Sequence, residues 1–254
     1  MVENKYVIPN LRNACRILKH LGRDNSGFKA HDIARALALP ATTTLRIMNT
    51  MHAEGLVRKD RGVYFLGPVL IHLGNAALAS TELNALAQPV LQKLTERTGE
   101  TSHVAVPCDN RSLIVSVCSG PHPLRAASRP GTLVELHCSA TGKIFLSFLA
   151  DQLEKSYGHN QALTRYSPKT ITTYRGLKKE TELTSKRGYS FDNEEFHDGV
   201  RCLAAPVHGS DRSVVAAVGI TAAVVRFSLE RTAEIARHVQ SAARELSQGL
   251  GYSE

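Results

Sequence analysis

Apolar residues recur at helical spacing in three short stretches near the start of the chain. These stretches cover residues 10–22, 29–40 and 41–54. We expect Asn10 to cap the first helix, Gly22 to end it, and Pro40 to close the second helix or open the third. The positions predicted to face inward are Leu11, Ala14, Cys15, Leu18, Leu21, Ile33, Ala34, Leu37, Leu45, Met48 and Met51.

The next segment, LVRKDRGVYFLG, predicts a β-hairpin with strands at Leu56–Lys59 and Val63–Leu66. The expected turn is Asp60-Arg61-Gly62. Three short helices followed by a basic hairpin predict a winged helix-turn-helix. The segment LALPAT is then the short turn between the second and third helices.

The rest of the chain mixes helical and strand patterns, which predicts an α+β fold. The expected helices cover residues 68–80, 82–99 (with a kink or restart at Pro89), 139–150 (capped by Ser139), 177–187 and 228–249 (capped by Ser228). The expected extended segments cover residues 101–106, 112–117, 132–138, 202–207 and 214–221. We therefore predict a winged helix-turn-helix domain at 1–67, a linker helix at 68–81 and a mixed α/β domain at 82–254.

The composition narrows the class of protein. Hydrophobic residues make up 43% and charged residues 21%, as in ordinary globular proteins. No apolar run approaches the ~20 residues of a membrane-spanning helix, and the first ten residues lack the apolar core of a secretory signal. We expect a cytoplasmic protein with no membrane partner. The five cysteines form no C-x-x-C pair, so we expect reduced thiols, without a disulfide framework or a zinc finger.

Positive charge is concentrated in the predicted winged domain and its connector. The net charge is +8, and residues 1–75 hold 11 Lys and Arg against 5 Asp and Glu. The remaining residues hold 20 against 18. A basic small domain joined to a near-neutral larger one favours a polyanionic partner for the first part only.

The third predicted helix begins with Thr42, Thr43 and Thr44, and Arg46 follows within one turn. In a helix-turn-helix this helix lies in the major groove, where hydroxyls can contact phosphates or bases and arginine can form two hydrogen bonds with guanine. The hairpin supplies three further basic residues for the DNA backbone: Arg58, Lys59 and Arg61. The threonines alone also suit a helix cap and turn, but the full set favours double-stranded DNA as the partner.

Four segments of the sequence carry a likeness to one family: LPATTTLRIMNTMHAEGLVRKDRGVYFLG, TGETSHVAV, LHCSATGKIFL and GYSFDNEEFHDGVRCLAAPV. Over nearly its whole length the chain resembles the IclR family of bacterial transcription regulators. The last segment is the most specific, and the chain departs from the family pattern just after it, at Gly209, where Asp or Asn is usual. The resemblance implies a GAF-like effector-binding domain, a small-molecule signal, and a homodimer or a dimer of dimers.

The resemblance also implies six effector-binding residues: Ala140, Thr141, Asp192, Cys202, Gly219 and Thr221. Gly219 and Thr221 stand where glyoxylate- or pyruvate-binding members often have serine. Val134 and Val200 would form the apolar wall.

The chemistry of these positions favours an acid as the effector. Free amides at residues 140–142 would present donors and a partial positive charge to a carboxylate. Asp192 could accept a hydrogen bond from a ligand hydroxyl or be protonated if buried, and Thr221 can donate or accept. We therefore expect a small hydroxy-, keto- or aromatic acid, with no cofactor and no metal.

The function that these observations favour is a ligand-responsive transcription regulator, not an enzyme, whose symmetric dimer binds a pseudo-palindromic operator. One alternative is an enzyme with Cys202 as nucleophile and His197 or His208 as base. Another is an architectural DNA binder that senses no ligand. A metal site formed by His103, His137, His197 and His208 is disfavoured because these histidines lack ligand spacing.

Overall fold

The computed structural model describes residues 6–24, 26–79, 82–126, 128–149, 151–158 and 162–253. The chain divides into two compact units between residues 80 and 81, each with its own core. The predicted linker helix belongs to the first unit. Among the described residues, no helix combines the length and the apolar character needed to cross a membrane.

The first unit contains four helices and a small sheet among its described residues. Its elements are α1 (Pro9–Leu21), β1 (Phe28–Lys29), α2 (Ala30–Leu37), α3 (Ala41–Ala53), β2 (Val57–Asp60), β3 (Val63–Leu66) and α4 (Val69–Ala79). The order of helices and hairpin is the predicted one. The hairpin also gains a third strand, because β1 pairs with β3 on the side away from β2.

Proline and glycine set the ends of these helices. Helix α1 begins at Pro9, one residue before the predicted cap Asn10, because proline suits a first turn whose amides lack intrahelical acceptors. Gly22 follows its last residue, as predicted. Pro40 precedes α3 and does not close α2. Helix α2 ends at Leu37, and Ala38 follows it in the left-handed conformation (φ 53°).

The core of the first unit consists of Ile17, Leu21, Ile33, Ile47, Met48, Met51, Val57 and Tyr64. Three positions predicted to face inward are instead exposed: Leu11, Cys15 and Leu45. Helix α3 buries Thr44, Ile47, Met48 and Met51, which share one face at helical spacing. Leu45 lies one residue off that face, so its side chain points away from the core.

The described part of the second unit is built on one six-stranded sheet. Its elements are α5 (Glu82–Thr98), β4 (Thr101–Cys108), β5 (Arg111–Cys118), β6 (Leu133–Glu135), α6 (Ala140–Phe148), α7 (Gln152–Tyr157), α8 (Tyr174–Arg187), β7 (Ser190–Asn193), β8 (Val200–His208), β9 (Val214–Ala223) and α9 (Thr232–Gly249). The strands form one antiparallel sheet in the order β6-β5-β4-β9-β8-β7.

Ser139 caps α6 as predicted, by accepting a hydrogen bond from the Gly142 amide at 3.1 Å. Two other predicted details are not confirmed: a restart at Pro89, one of the two possibilities predicted there, is excluded, and the predicted cap Ser228 is wrong. Helix α5 continues through Pro89 without a restart. Ser228 precedes a short 3-10 turn, Leu229–Arg231, and α9 begins only after that turn.

The two faces of the sheet pack against different helices. One face buries Val104, Leu203 and Val218 against α5 and α9. The other face buries Ala204 and Ala217 against α6. Successive strand residues alternate between these layers, which places the polar residues discussed below on the α6 side.

Candidate functional site

The start of α3 presents a polar, basic surface. Thr42 and Arg46 are exposed and Thr43 is half-buried. Residues three and four apart share a helix face, so Arg46 lies beside these two threonines. Thr44 does not belong to this surface: it is fully buried, and its Oγ1 donates to the Pro40 carbonyl at 3.1 Å. The prediction that Thr44 contacts DNA is therefore wrong.

The hairpin distributes its positive charge over both of its faces. The Arg58 guanidinium lies 4.0 Å from the centre of the Phe65 ring, and the Lys59 ammonium lies 5.2 Å from the centre of the Tyr64 ring. Neighbouring strand residues point in opposite directions, so these two cations cannot face the same surface. Arg61 is at the tip.

The turn is shorter than predicted. It consists of Arg61 and Gly62, both with positive φ (45° and 81°), and Asp60 belongs to the strand. Two central residues of positive φ make the tight turn whose twist suits a hairpin.

Lys29 is a basic residue that sequence reasoning missed. It is exposed at the end of β1, and it lines the same shallow groove as Lys59, beside Ala41 and Leu45 of α3. The sequence pattern placed Lys29 at the start of the second helical stretch, so nothing indicated its position next to the hairpin. The groove therefore adds a second lysine on the α3 side of the wing.

A cavity of about 310 Å³ lies in the second unit, between the sheet and the start of α6. Five of the six predicted effector-binding residues line it: Ala140, Thr141, Asp192, Cys202 and Thr221. The predicted apolar residues Val134 and Val200 line it as well.

Strand pairing places the acidic and hydroxyl-bearing residues in one row. Asp192 of β7 pairs with Cys202 of β8, and Cys202 pairs with Thr221 of β9, so all three side chains point to the same face. The Thr221 hydroxyl lies 3.5 Å from the Cys202 sulfur and 3.3 Å from the Ser128 hydroxyl. This row forms a continuous polar wall of the cavity.

Asp192 is buried, and its surroundings control its charge. Burial raises the pKa of this carboxyl to about 7, while the Lys143 ammonium acts in the opposite direction. The Oδ1 of Asp192 accepts a hydrogen bond from the Glu195 amide at 2.7 Å. The carboxyl therefore changes protonation near neutral pH.

Lys143 is completely buried behind Asp192. Its Nζ lies 2.6 Å from Glu195 Oε1 and donates to the Phe191 carbonyl at 2.5 Å. The sequence pattern included Glu195, but it gave no sign that Lys143, one turn into α6, would be its ion-pair partner. This pair joins α6 to the segment that carries Asp192.

Capping uses part of the donor set predicted at the start of α6. The Gly142 amide bonds to Ser139 Oγ and the Lys143 amide to the Ser139 carbonyl. The Thr141 hydroxyl lies 2.8 Å from the Ser112 hydroxyl. Three backbone amides, those of residues 140–142, were expected to be available to a ligand. The Gly142 amide is used by the cap, whereas the amides of Ala140 and Thr141 lie in the first turn, where no intrahelical acceptor is available. The expected three donors are therefore reduced to two.

Gly219, the sixth predicted residue, is absent from the cavity lining. It pairs with His103 of β4 and with Ala204 of β8. A Cβ at this position would lie 2.6 Å from the Leu203 carbonyl oxygen, so the backbone closes around it. Gly219 therefore does not line the cavity, and the prediction that it contributes to the surface of the pocket is wrong.

His103 lines the cavity, although sequence reasoning considered it only as a possible metal ligand. Its side chain is buried, at 4% exposure, and burial lowers the pKa of the imidazole to about 4. Among the residues that the structure describes, none offers its Nδ1 a hydrogen bond. The alternation of β4 could have indicated an inward-facing His103, but not its missing partner.

The alternatives gain no support from this geometry. Burial raises the pKa of the Cys202 thiol well above its ordinary value, which disfavours the nucleophilic thiolate. Within the described ranges, no three His, Cys, Asp or Glu side chains are grouped in a way that could hold a metal ion. His137 instead contacts the Thr164 carbonyl at 2.9 Å, and His208 stacks on Tyr252.

The first unit is a winged helix-turn-helix with an exposed basic helix and wing, and the second unit holds a small, mostly apolar cavity with one polar wall. Together these features define the class of ligand-responsive DNA-binding transcription regulators. The comparisons with known proteins agree. The family model of the IclR helix-turn-helix domain matches residues 11–61, and that of the bacterial transcriptional regulator IclR C-terminal domain matches residues 75–248. The chain belongs to the IclR family.

Curated relatives match almost end to end. The transcriptional repressor IclR of Escherichia coli K12 is 31% identical over 248 residues, which cover 96% of this chain and 90% of that protein. The transcriptional repressor AllR of the same organism is 28% identical over 243 residues, covering 95% and 90%.

Solved structures share the fold. The IclR of Thermotoga maritima is 29% identical with a TM-score of 0.68, covering 95% of this chain and 98% of that one. An IclR homologue of Microbacterium hydrocarbonoxydans, solved with 4-hydroxybenzoate, is 22% identical with a TM-score of 0.77, covering 96% and 100%.

Proposed function

We propose that this regulator represses transcription and that its effector is a small carboxylic acid bound in the cavity of the second unit. The observation that carries the acid is that Ala140 and Thr141, in the first turn of α6, line the same cavity as the Asp192 carboxyl. A helix N-terminus favours a carboxylate, and a carboxyl with a pKa near 7 can donate to it when protonated. Repression is supported by the names of the relatives, IclR and AllR, both repressors.

The size of the cavity limits the effector. Ligand pockets commonly measure about 300–1,000 Å³, so about 310 Å³ lies at the small end. The apolar side chains of Ile114, Val134 and Val200 line it together with the polar row. A compact acid with a short aliphatic or single-ring body fits this lining.

For DNA, we assign the base contacts to Thr42, Thr43 and Arg46 of α3. Arg58, Lys59 and Arg61 of the wing are assigned to phosphates. The homodimer then places two such surfaces on a pseudo-palindromic operator. Because it acts on DNA, the protein works in the cytoplasm.

The effector controls DNA affinity because it binds one of two arrangements of the protein more tightly than the other. A ligand with equal affinity for both arrangements would not change their populations. We assign the change between arrangements to the linker helix, residues 68–81. This assignment places the end of the DNA-binding domain at residue 67 and the start of the effector-binding domain at residue 82, on either side of the linker helix.

A thermal-unfolding screen against small aliphatic and aromatic acids tests the effector class. A ligand at ~100 times its dissociation constant adds ~2.7 kcal/mol to the free energy of unfolding. We expect at least one acid to stabilise the protein, and Thr221→Val or Asp192→Asn to reduce that effect. Asp198→Asn is the matched control because Asp198 is exposed and does not line the cavity. No stabilisation by any acid, or equal loss in the control, would contradict the proposal.

A further inference from the structure

Leu45 is a large apolar residue on the solvent-facing side of α3. Its side chain is 45% exposed, because the core of the first unit is formed by residues on the opposite side of the helix. Thr42, Arg46 and Asn49 are exposed as well. Residues at positions i, i+3, i+4 and i+7 share one face of a helix, so Leu45 lies in the middle of the face that carries the proposed base contacts.

The surroundings of Leu45 are basic on both sides. On the side of the wing, Leu45 lines a shallow groove together with Lys29 and Lys59. On the other side, Arg46 lines a second groove, between α3 and the start of α1, which Asn10 contributes to. A partner that covers Leu45 must therefore bring negative charge to both sides of an apolar centre.

Double-stranded DNA has this arrangement of groups. Phosphates border the major groove, and the base edges inside it present mostly hydrogen-bond donors and acceptors. The exception is thymine, whose C5-methyl group is apolar and projects into the groove. Single exposed leucines are common on protein surfaces, but this one lies between two basic grooves on the helix assigned to the bases.

We propose that Leu45 is a specificity residue that contacts the C5-methyl group of a thymine in the major groove. The inference rests on the proposed function, because α3 is assigned there to the base contacts. Leu45 and Arg46 are consecutive, and a helix rises 1.5 Å per residue, whereas base pairs are stacked about 3.4 Å apart. The thymine should therefore lie within about two base pairs of the base that Arg46 binds.

The test removes the methyl group from the DNA. The probe is a duplex that the wild-type protein selects from random-sequence DNA, and each thymine of one half-site is replaced in turn by uracil, which lacks only the C5-methyl group. Affinities are measured by fluorescence anisotropy. We expect uracil at one position to weaken binding by the wild-type protein about fourfold, the effect of losing one buried apolar carbon.

Three variants assign that loss to Leu45. Leu45→Ala should bind the thymine and uracil duplexes equally at this position, and alanine keeps α3 helical. Leu45→Met keeps an apolar side chain of similar volume and should keep most of the difference. Leu183→Ala is the matched control, because Leu183 of α8 in the second unit is 44% exposed, and it should keep the whole difference.

Should Leu45→Ala bind too weakly for this comparison, NMR of the wild-type complex gives an independent readout. With the C5-methyl group of the sensitive thymine labelled with 13C, nuclear Overhauser effects should connect it to the methyl groups of Leu45.

The outcomes separate the two proposals. The role of Leu45 is overturned, and the other base contacts of α3 stand, if no thymine is sensitive to uracil or if Leu45→Ala keeps the difference. A sensitive thymine far from the base pair at which Arg46→Ala loses its preference also overturns it. If the protein selects no sequence from random DNA, the base contacts of α3 are overturned and the role of Leu45 with them.

Discussion

Replacing Lys143 with methionine removes the positive charge from a cluster buried behind the cavity. The Lys143 ammonium lies 2.6 Å from one oxygen of Glu195, 2.5 Å from the Phe191 carbonyl and 3.6 Å from Glu180. The second oxygen of Glu195 is buried with no hydrogen-bond partner among the described residues. In the variant, the Glu195 carboxylate would lose its main partner while staying out of water.

The expected cost follows from this geometry. Removing one partner of a buried ion pair costs about 3–5 kcal/mol because the other charge stays buried and uncompensated. Replacing both partners is much less costly, so Lys143→Met combined with Glu195→Gln should recover part of the loss. We expect a coupling energy of about 2 kcal/mol between the two positions.

Hydrogen exchange followed by mass spectrometry suits the measurement because the chain contains no tryptophan to report unfolding by fluorescence. A loss of about 3 kcal/mol should accelerate exchange in peptides from β7 and β8 on the order of a hundredfold. Lys169→Met is the matched control. Lys169 pairs with Glu194, the neighbour of Glu195, but is 49% exposed, so its loss should cost no more than about 1 kcal/mol.

Two results would refute the reasoning. One is a Lys143→Met variant no less stable than Lys169→Met. The other is a double variant whose loss equals the sum of the single losses, since that would mean that Lys143 and Glu195 do not stabilise each other.

Three further predictions follow from individual residues. The raised pKa of Asp192 means that the folded protein binds a proton more tightly than the unfolded chain, so this group's stabilising contribution is lost as pH rises from about 4 to about 7. Asp192→Asn should therefore be more stable than the wild type at pH 8, by up to about 4 kcal/mol, and the difference should vanish toward pH 4 in urea titrations. Gly219→Ala should lower the free energy of unfolding by about 1–3 kcal/mol in thermal melts, because its Cβ would lie 2.6 Å from the Leu203 carbonyl oxygen. Arg46→Ala should weaken specific operator binding by about 1–3 kcal/mol in mobility-shift titrations, whereas Thr44→Val should leave sequence preference unchanged.

Each of these has a control. For Asp192→Asn the control is Asp198→Asn, at an exposed carboxyl outside the cavity lining, and an equal change there would contradict the role of Asp192. Gly74→Ala, at a helical glycine with open space around its Cβ position, should stabilise, and a loss as large as that at Gly219 would contradict the steric argument. Uniform weakening by Arg46→Ala on all DNA sequences would make Arg46 a phosphate contact.

Local patterns predicted the larger elements well. Helical spacing located α1, α2 and α3, and short apolar runs located the central strands of the large sheet. Strand β1 was missed because its two residues, Phe28–Lys29, are too short to show a period. Leu45 was misplaced because the periodicity of α3 did not distinguish the buried face from the position next to it.

The pocket shows a similar limit. Asp192, Cys202 and Thr221 line the cavity as predicted. The roles of Gly219 and His103 depend on the register between β4 and β9, which pairs residues more than a hundred positions apart. The burial of Lys143 also depends on long-range packing, since Glu195 lies 52 residues away. No single-sequence period carries such information.

The buried ion pair between Lys143 and Glu195 also determines which lining residues of the pocket can move when a ligand binds. Lys143 belongs to the helix whose first turn lines the cavity, and Glu195 holds Asp192 through its backbone amide. The ion pair therefore fixes the start of α6 relative to the segment that carries Asp192. We expect an effector that is slightly too large to displace lining residues outside this ion-paired region, such as Ala126, Ser128 and Thr132 in the segment between β5 and β6. Changes of ligand preference during evolution should accumulate in that segment, while Lys143 and Glu195 stay constant.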